Sequence, residues 1–375
     1  MAADVLVVNT GSSSVKYRLL DADTRQRKAG GTIERTDGVD AVGAALTAEP
    51  ALAEASLVAV GHRVVHGGGH FTGPAVIDRD VLAGIRDLAP LAPLHIPANL
   101  AGIQVARGAF PDVPHVAVFD TAFHQTLPPQ AHTYAVPRLW REHFGVRRYG
   151  FHGISYQYVS RRAAALLGRD PGEANLIVLH LGNGASACAI EAGRSVETSM
   201  GMTPLEGLVM GTRSGDVDPA LPGYLARVAG LGPQDVEAAL NRESGLLALA
   251  GSNDLRDVWA AVDRGDADAR LAIEVYCHRI RLYVGAYYAL LGRVDAVVFT
   301  AGVGERDPGV RELSLAGLDR LGIALDPVRN ADPGHGERFV SPEGAEVAVL
   351  VVPTDEESEI AAQALACVRT LVGAG

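Results

Sequence analysis

The sequence predicts an α/β protein built on an internal duplication. Short aliphatic and β-branched runs that stop on polar or glycine residues alternate with longer stretches of helical period, the pattern of strands and helices layered together. One strand-turn-strand unit occurs twice, in VLVVNTGSSSVKYRLLDAD and again, about 170 residues later, in LIVLHLGNGASACAIEAG. At 375 residues, 48% of them apolar, the chain is long enough for two domains with substantial cores, and no segment is of low complexity.

The elements follow in order. Residues 5–8 form a strand that stops at Asn9, since Gly-Ser-Ser-Ser cannot extend it cheaply; residues 15–20 form a second, ended by the turn Asp21-Ala22-Asp23. Residues 57–60 make a strand that ends on Gly61, and residues 116–119 a buried strand tipped by Asp120. Residues 175–190 repeat the opening: NLIVLHL is a strand, GNG a tight turn, ASACAI a second strand. AVVFT at 296–300 and the apolar run at 347–352 end in the loops AGVGE and PTDEE. Helical periods cover 80–89, 97–108, 155–167, 221–228, 233–243 and 266–291. Between 199 and 220, SMGMTPLEGLVMGTRSGDVDPA breaks every period, and so long a loop in a compact domain is functional or disordered. Leu205, Leu208, Val209 and Met210 argue for order. A boundary near residues 120–150, with a proline-rich crossing at 127–137, divides two comparable halves.

Composition excludes several classes. With 44 acidic against 33 basic residues and a net charge of −11, the chain lacks the positive field that nucleic acid or an anionic membrane needs, so small-molecule partners are expected. Cys188, Cys277 and Cys367 are too scattered for a metal knuckle or redox pair and are expected as buried thiols of a reducing cytosol. The first residues lack a basic signal region, and the longest apolar run, 347–353, falls short of the roughly 18 to 20 residues that cross a bilayer. A soluble cytoplasmic protein is expected.

Ligands of open α/β sheets bind where strands give way to loops, so the strand ends nominate the site. Residues 9–16, Asn-Thr-Gly-Ser-Ser-Ser-Val-Lys, offer small residues, hydroxyls and one cation to an anion, although a serine-rich β-turn reads the same way. Only Lys16 and Lys28 are lysines, which draws attention to Lys16. Arg63, between glycines, has room to fork onto a carboxylate or phosphate, or to bridge a surface acid. Asp120 serves either a ligand or a helix N-cap. His152 in YGFHG and Arg213 in GTRSGD complete the set; a lone histidine is more often structural.

These strings in order, NTGSSSVKY, GHRVVHGG, PLHIPANL, VFDTAFHQT, YGFHGISY, HLGNGAS, SMGMTPLEGLVMGTRSGDVDPA, FTAGVGE and PTDEE, resemble the acetokinase family of the actin, hexokinase and Hsp70-like ATPase superfamily. The resemblance spans residues 9–357. It implies two duplicated ribonuclease H-like (actin-like ATPase) domains with the active site in the interdomain cleft: residues 1–120, joined by a final helix at about 359–372, and residues 121–358, nucleotide-binding and dimer-forming. It also implies reversible, Mg²⁺-dependent (or Mn²⁺-dependent) direct in-line phosphoryl transfer between ATP and acetate, giving ADP and acetyl phosphate, by a cytoplasmic homodimer. Such transfer needs positive charge and donors around the phosphoryl oxygens more than covalent chemistry.

Residue by residue, the resemblance implies catalytic roles for Asp120, His152 and Arg213, with Asp120 acting on acetate, on Arg63 or on the metal. Arg63 would hold the acetate carboxylate, and Val65, Leu94, Phe151 and Pro204 its methyl group. Ser12, Ser14 and Lys16 match one phosphate-facing loop, and His180, Leu181, Gly182, Asn183 and Gly184 the other. Asp254, Leu255 and Arg256 match the adenosine site, and Gly302, Val303, Gly304, Glu305 and Arg306 the loop along the nucleotide. Asn9 and Glu356 match the metal site. Two positions depart from the family: Arg306 replaces a usual Asn, and Asn253 a common Ser. The alternatives are a propionate or other short-chain acyl kinase and, more remotely, a non-catalytic nucleotide sensor or a sugar kinase.

Overall fold

The structure, a computed structural model, describes residues 3–10, 14–34, 43, 46, 48–93 and 95–373. The chain divides into two compact units. One takes the described residues up to Gln125, then Phe151–Tyr158 and those from Asp355 onward; the other takes Thr126–Gly150 and Val159–Thr354.

The first unit is organised on six strands: β1 (Asp4–Thr10), β2 (Ser14–Asp21), β3 (Arg27–Glu34), β4 (Leu57–Val64), β5 (Ala75–Val76) and β6 (His115–Phe119). They lie in the order β3-β2-β1-β4-β6-β5, with β1, β4 and β6 parallel and the rest antiparallel. The second unit holds β7 (Asn175–Leu181), β8 (Ala185–Glu191), β9 (Arg194–Thr198), β10 (Ala296–Thr300), β11 (Arg338–Phe339) and β12 (Ala348–Val351). Their order is β9-β8-β7-β10-β12-β11, with parallel pairs at the same places. The duplication seen in one hairpin therefore extends to whole sheets.

Alternation in the first sheet sorts its residues by face. Val5 and Val7 of β1, Ala59 of β4, and Val116 and Val118 of β6 pack with Ile360, Ala361 and Ala364 of the C-terminal helix, Glu356–Gly373. Leu6, Val8 and Val60 point the other way, towards Leu46 and Ala106. Each fully buried valine, leucine or isoleucine among them contributes about 1.5–3 kcal/mol. In the second unit the 25-residue helix Ala267–Leu291 lies against β8 and β7, with Tyr276 and Tyr287 buried.

Several sequence expectations need correction. β4 runs on through Gly61 and His62 to Val64, so Arg63 lies within a strand and not in a loop after it. Gly61 permits this because a Cβ there would stand 2.7 Å from Ile360 Cγ2 of the covering helix. Residues 301–306 are a short helix, not the loop that AGVGE suggests. Cys188 and Cys277 are buried, but Cys367 is only half-buried. Lys28, undistinguished by sequence, bridges Asp4 at 2.5 Å and Asp21 at 3.1 Å and ties β3 to the opening hairpin. Residues 199–220, between β9 and the helix Leu221–Ala229, are free of helix and strand, as their broken periodicity predicts. Among the described residues no helix is long and apolar enough to cross a membrane.

Candidate active site

The carboxyl ends of β1, β4 and β6 carry one group of candidates, and period-two alternation puts them on one face. Continuing from Val5 and Val7 reaches Asn9; continuing from Ala59 and Gly61 reaches Arg63; continuing from Val116 and Val118 reaches Asp120. Lys16 is the registered partner of Asn9, so it shares that face, and it is exposed. The C-terminal helix covers the same face and begins with Glu356.

Asp120 is almost fully buried and takes Arg63 side-on, with Nη2 donating to Oδ2 at 2.5 Å and Nε to Oδ1 at 3.2 Å. Glu356 Oε2 lies 3.8 Å from Arg63 Nε. Burial opposes the Arg63 charge, but the carboxylates of Asp120 and Glu356 outweigh it and raise the guanidinium pKa above its ordinary value. This side-on fork uses Nε–H and one Nη2–H, which leaves the Nη1 edge and the second Nη2 hydrogen directed away from Asp120.

His152 is held beside this cluster by strained backbone. Its φ is +58°, in the left-handed region that costs a non-glycine residue about 1 kcal/mol or more. The next residue explains the strain. The Gly153 amide donates to the Asp120 carbonyl at 2.9 Å, and a Cβ at 153 would stand 2.2 Å from that oxygen. On the other side, the Phe151 carbonyl is hydrogen-bonded to His124 Nε2 at 2.9 Å, and buried His66 meets the Phe151 ring edge-on. His66 and His124 are braces that no spacing in the sequence signalled.

The second unit supplies a cleft of about 850 Å³. Of the predicted nucleotide residues it is lined by Gly182, Asn183, Asp254, Leu255, Arg256, Gly302, Val303 and Arg306. His180 and Leu181, the last residues of β7, are buried and do not line it. Gly184 closes the turn by accepting from the Gly182 amide at 3.0 Å. Gly304 and Glu305 also face away: the Gly304 carbonyl accepts from buried Arg311 at 2.9 Å, and the Glu305 carboxylate accepts from the Thr354 amide at 3.4 Å.

Within the cleft, Gly211 approaches Asn183 so closely that a Cβ would lie 2.2 Å from Asn183 Oδ1. Asp254 caps the helix Leu255–Asp263 by accepting from the Arg256 amide at 2.9 Å, and it also accepts from the Arg256 guanidinium. Those bonds lower its pKa from the ordinary 3.8 to about 2. Arg306 folds over its own helix, Nε donating to the Gly302 carbonyl at 3.1 Å, and stays exposed. Trp259 and Asp307 also line the wall, joined by a 2.7 Å bond from the indole N–H to Oδ2. Asp-Pro at 307–308 is a readable helix start; Trp259 had no signal, because its partner lies 48 residues away. A larger groove of about 1180 Å³ beside β9, lined by Arg169, Glu191 and Arg293 among others, contains none of the predicted residues.

Arg213 stands in the long loop of the second unit. Its Nη1 donates to the Pro204 carbonyl at 2.8 Å and lies 3.4 Å from Met210 Sδ; it makes no ion pair among the described residues, and burial lowers its pKa. The loop is pinned around it. Gly245, at φ +65°, lies under the Met210 and Arg213 carbonyls, where a Cβ would come within 2.2 Å of the former. Asp216 accepts from the Gly207 amide and from Tyr283 Oη, both at 2.8 Å. A partly buried guanidinium without a counter-charge is a ready anion site. Ser12 and Leu94 lie outside the described residues, as does the side chain of Ser14.

A sequence profile described as the acetokinase family matches residues 28–362. The chain belongs to the acetokinase family. An acetate kinase of Leifsonia xyli subsp. xyli is 56% identical over 391 aligned positions, 97% of this chain and 98% of the relative. The crystal structure of the Porphyromonas gingivalis acetate kinase superposes with a TM-score of 0.91 at 39% identity, covering 98% of this chain and all of that one. A propionate kinase from Francisella tularensis subsp. tularensis superposes with a TM-score of 0.90 at 38% identity, covering 97% of this chain and 99% of that one. As an acetokinase family member the chain is an enzyme of the kinase class, with two α/β domains of like topology.

Asn9 and Glu356 supply a carboxamide and a partly buried carboxylate, both hard oxygen donors. Such a set fits Mg²⁺, which keeps most of its waters and takes one or two protein ligands.

Proposed function

We propose that this chain catalyses reversible phosphoryl transfer between ATP and acetate, giving ADP and acetyl phosphate, by direct in-line displacement. The observation that carries the reading, beside family membership, is the Arg63–Asp120 fork, which presents one edge of a charged guanidinium to an incoming carboxylate. In this reading Arg63 binds acetate end-on, and Asp120 orients it. A general base is not required, since acetate is already ionised near neutral pH. Val65, Leu94 and Phe151 face the methyl group, as does Pro204. Arg213 and His152 donate to the transferring phosphoryl, whose developing charge gives Arg213 the counter-ion it lacks.

Lys16 with Ser12 and Ser14, and Gly182 and Asn183 in the turn that His180, Leu181 and Gly184 frame, attend the ATP phosphates. Asp254, Leu255 and Arg256 attend adenosine, and Gly302, Val303 and Arg306 run along the nucleotide, with Gly304 and Glu305 supporting that helix from behind. Asn9 and Glu356 hold Mg²⁺, or Mn²⁺, which neutralises phosphate charge when bound. A homodimer in the cytoplasm goes with the reading. Acetyl phosphate trapped as the hydroxamate from ATP and acetate, and lost in Arg213→Ala, tests it; no product from the unaltered chain overturns it. The likeness to a propionate kinase keeps propionate as a second acceptor, because a pocket separates acids by only about 1–3 kcal/mol per methylene. Comparing kcat/KM for the two acids decides.

A further inference from the structure

We propose that Asn99 is a positioning residue that fixes the carboxyl ends of β1 and β4 against each other. The proposal rests on the roles given above to Asn9 and Arg63.

Asn99 lies in the helix Ile96–Ala109, within PLHIPANL, and is 3% exposed. Its Nδ2 donates to the Thr10 carbonyl at 3.1 Å, and its Oδ1 accepts from the Val65 amide at 3.1 Å. A carbonyl can only accept and an amide N–H only donate, so the two partners dictate which way the carboxamide points. Thr10 ends β1 immediately after Asn9, and Val65 stands two residues beyond Arg63.

The parallel pairing of β1 with β4 stops at Val8 with His62. Past that point the strand ends would part, and the Asn99 side chain supplies the next rung. Gly102, one turn on, lets the helix come close enough: a Cβ there would stand 2.0 Å from Thr10 Oγ1. Asn99 thus couples the end that bears the metal-site residue to the end that bears the acetate arginine, without touching either ligand.

Asn99→Asp isolates one half of this rung. It keeps the acceptor for Val65 but turns an oxygen towards the Thr10 carbonyl, and a carboxyl buried there has a raised pKa. Once protonated it donates to Thr10 as the amide did. The titratable groups on the elements packed against this helix are Asp4 of β1, His62 and Arg63 of β4 with His66 after it, Arg79, Asp80, Arg86 and Asp87 of the helix Arg79–Asp87, and His95 and Arg107 of the Asn99 helix segment itself; burial holds the His62 pKa well below its ordinary value. A ratio to the parent enzyme cancels their titration.

The experiment is kcat/KM for acetate and for Mg·ATP in the parent, Asn99→Asp and Asn99→Ala from pH 6 to 8, with thermal unfolding alongside. At pH 8 Asn99→Asp should fall about ten-fold or more below the parent and recover as pH falls, whereas Asn99→Ala should lose activity at every pH with both KM values raised. A pH-flat ratio for Asn99→Asp, or parental KM values in Asn99→Ala, overturns the role. Should Asn99→Asp unfold at pH 8, the comparison at pH 6 decides: activity above Asn99→Ala supports the rung, and equal activity overturns it. Absence of product from the parent overturns the reaction itself, whereas product from the parent with a flat Asn99→Asp ratio overturns only this role.

Discussion

The two sheets have the same strand order and opposite furnishing. Where β1, β4 and β6 end, the first unit places charged and amide side chains on one face: Asn9, Lys16, Arg63 and Asp120. Where β7 and β10 end, the second unit places glycine-bearing backbone, Gly182 in a turn and Gly302 in a short helix, bordering an open cleft. Their arginines differ in the same sense. Arg63 is matched by Asp120 and Glu356, whereas Arg213 has, among the described residues, a carbonyl and a thioether and no carboxylate. A duplicated scaffold fixes where loops emerge, and what those ends carry then diverges freely, because end residues are not needed to close the sheet.

The sharpest test of the contrast removes each arginine. Arg213→Ala should lower kcat about 10²–10³-fold, as loss of a transition-state donor does, with little change in unfolding free energy. Arg63→Ala should also abolish most activity, with a marked rise in acetate KM, and should in addition cost about 3 kcal/mol by stranding the buried Asp120 carboxylate. Denaturant titrations beside steady-state kinetics separate the two; equal stability losses would break the comparison.

Next come the glycines. Gly153→Ala forces a Cβ against a backbone carbonyl 2.2 Å away, so it should displace His152 and lower kcat about ten-fold or more. Gly211→Ala meets chiefly the movable end of the Asn183 side chain, with Asn253 Cβ next at 3.3 Å, so a several-fold rise in ATP KM with kcat nearly kept is expected from the same assay.

The smallest effect concerns Asp254. Its pKa is lowered on folding from 3.8 to about 2, so its contribution to stability is complete above about pH 4 and is lost as pH falls through 2. Asp254→Asn should therefore lower stability above about pH 4, with the difference from the parent shrinking as pH falls towards 2, and should change ATP KM near neutrality less, read from paired denaturant titrations across pH and kinetics.

The sequence by itself determined what rests on local pattern. The strand of β10, the helices near 97–108 and 266–291 and the irregular stretch around Arg213 follow from periodicity and turn chemistry, which act over a few residues. The ordered motifs determined the family, because so many short strings recur in one order. Tertiary structure alone decided the rest. That β4 continues past Gly61 depends on Ile360, some 300 residues later, filling the space of a missing side chain. Trp259 joins the cleft through Asp307, Asn99 finds Thr10 and Val65, and Lys28 finds Asp4, each by hydrogen bonds or ion pairs that only folding brings within reach. Above all, the sequence names Arg63 and Arg213 as two similar cations. Only the fold gives one its carboxylates and denies them to the other, because charge compensation depends on which chain segments meet in space.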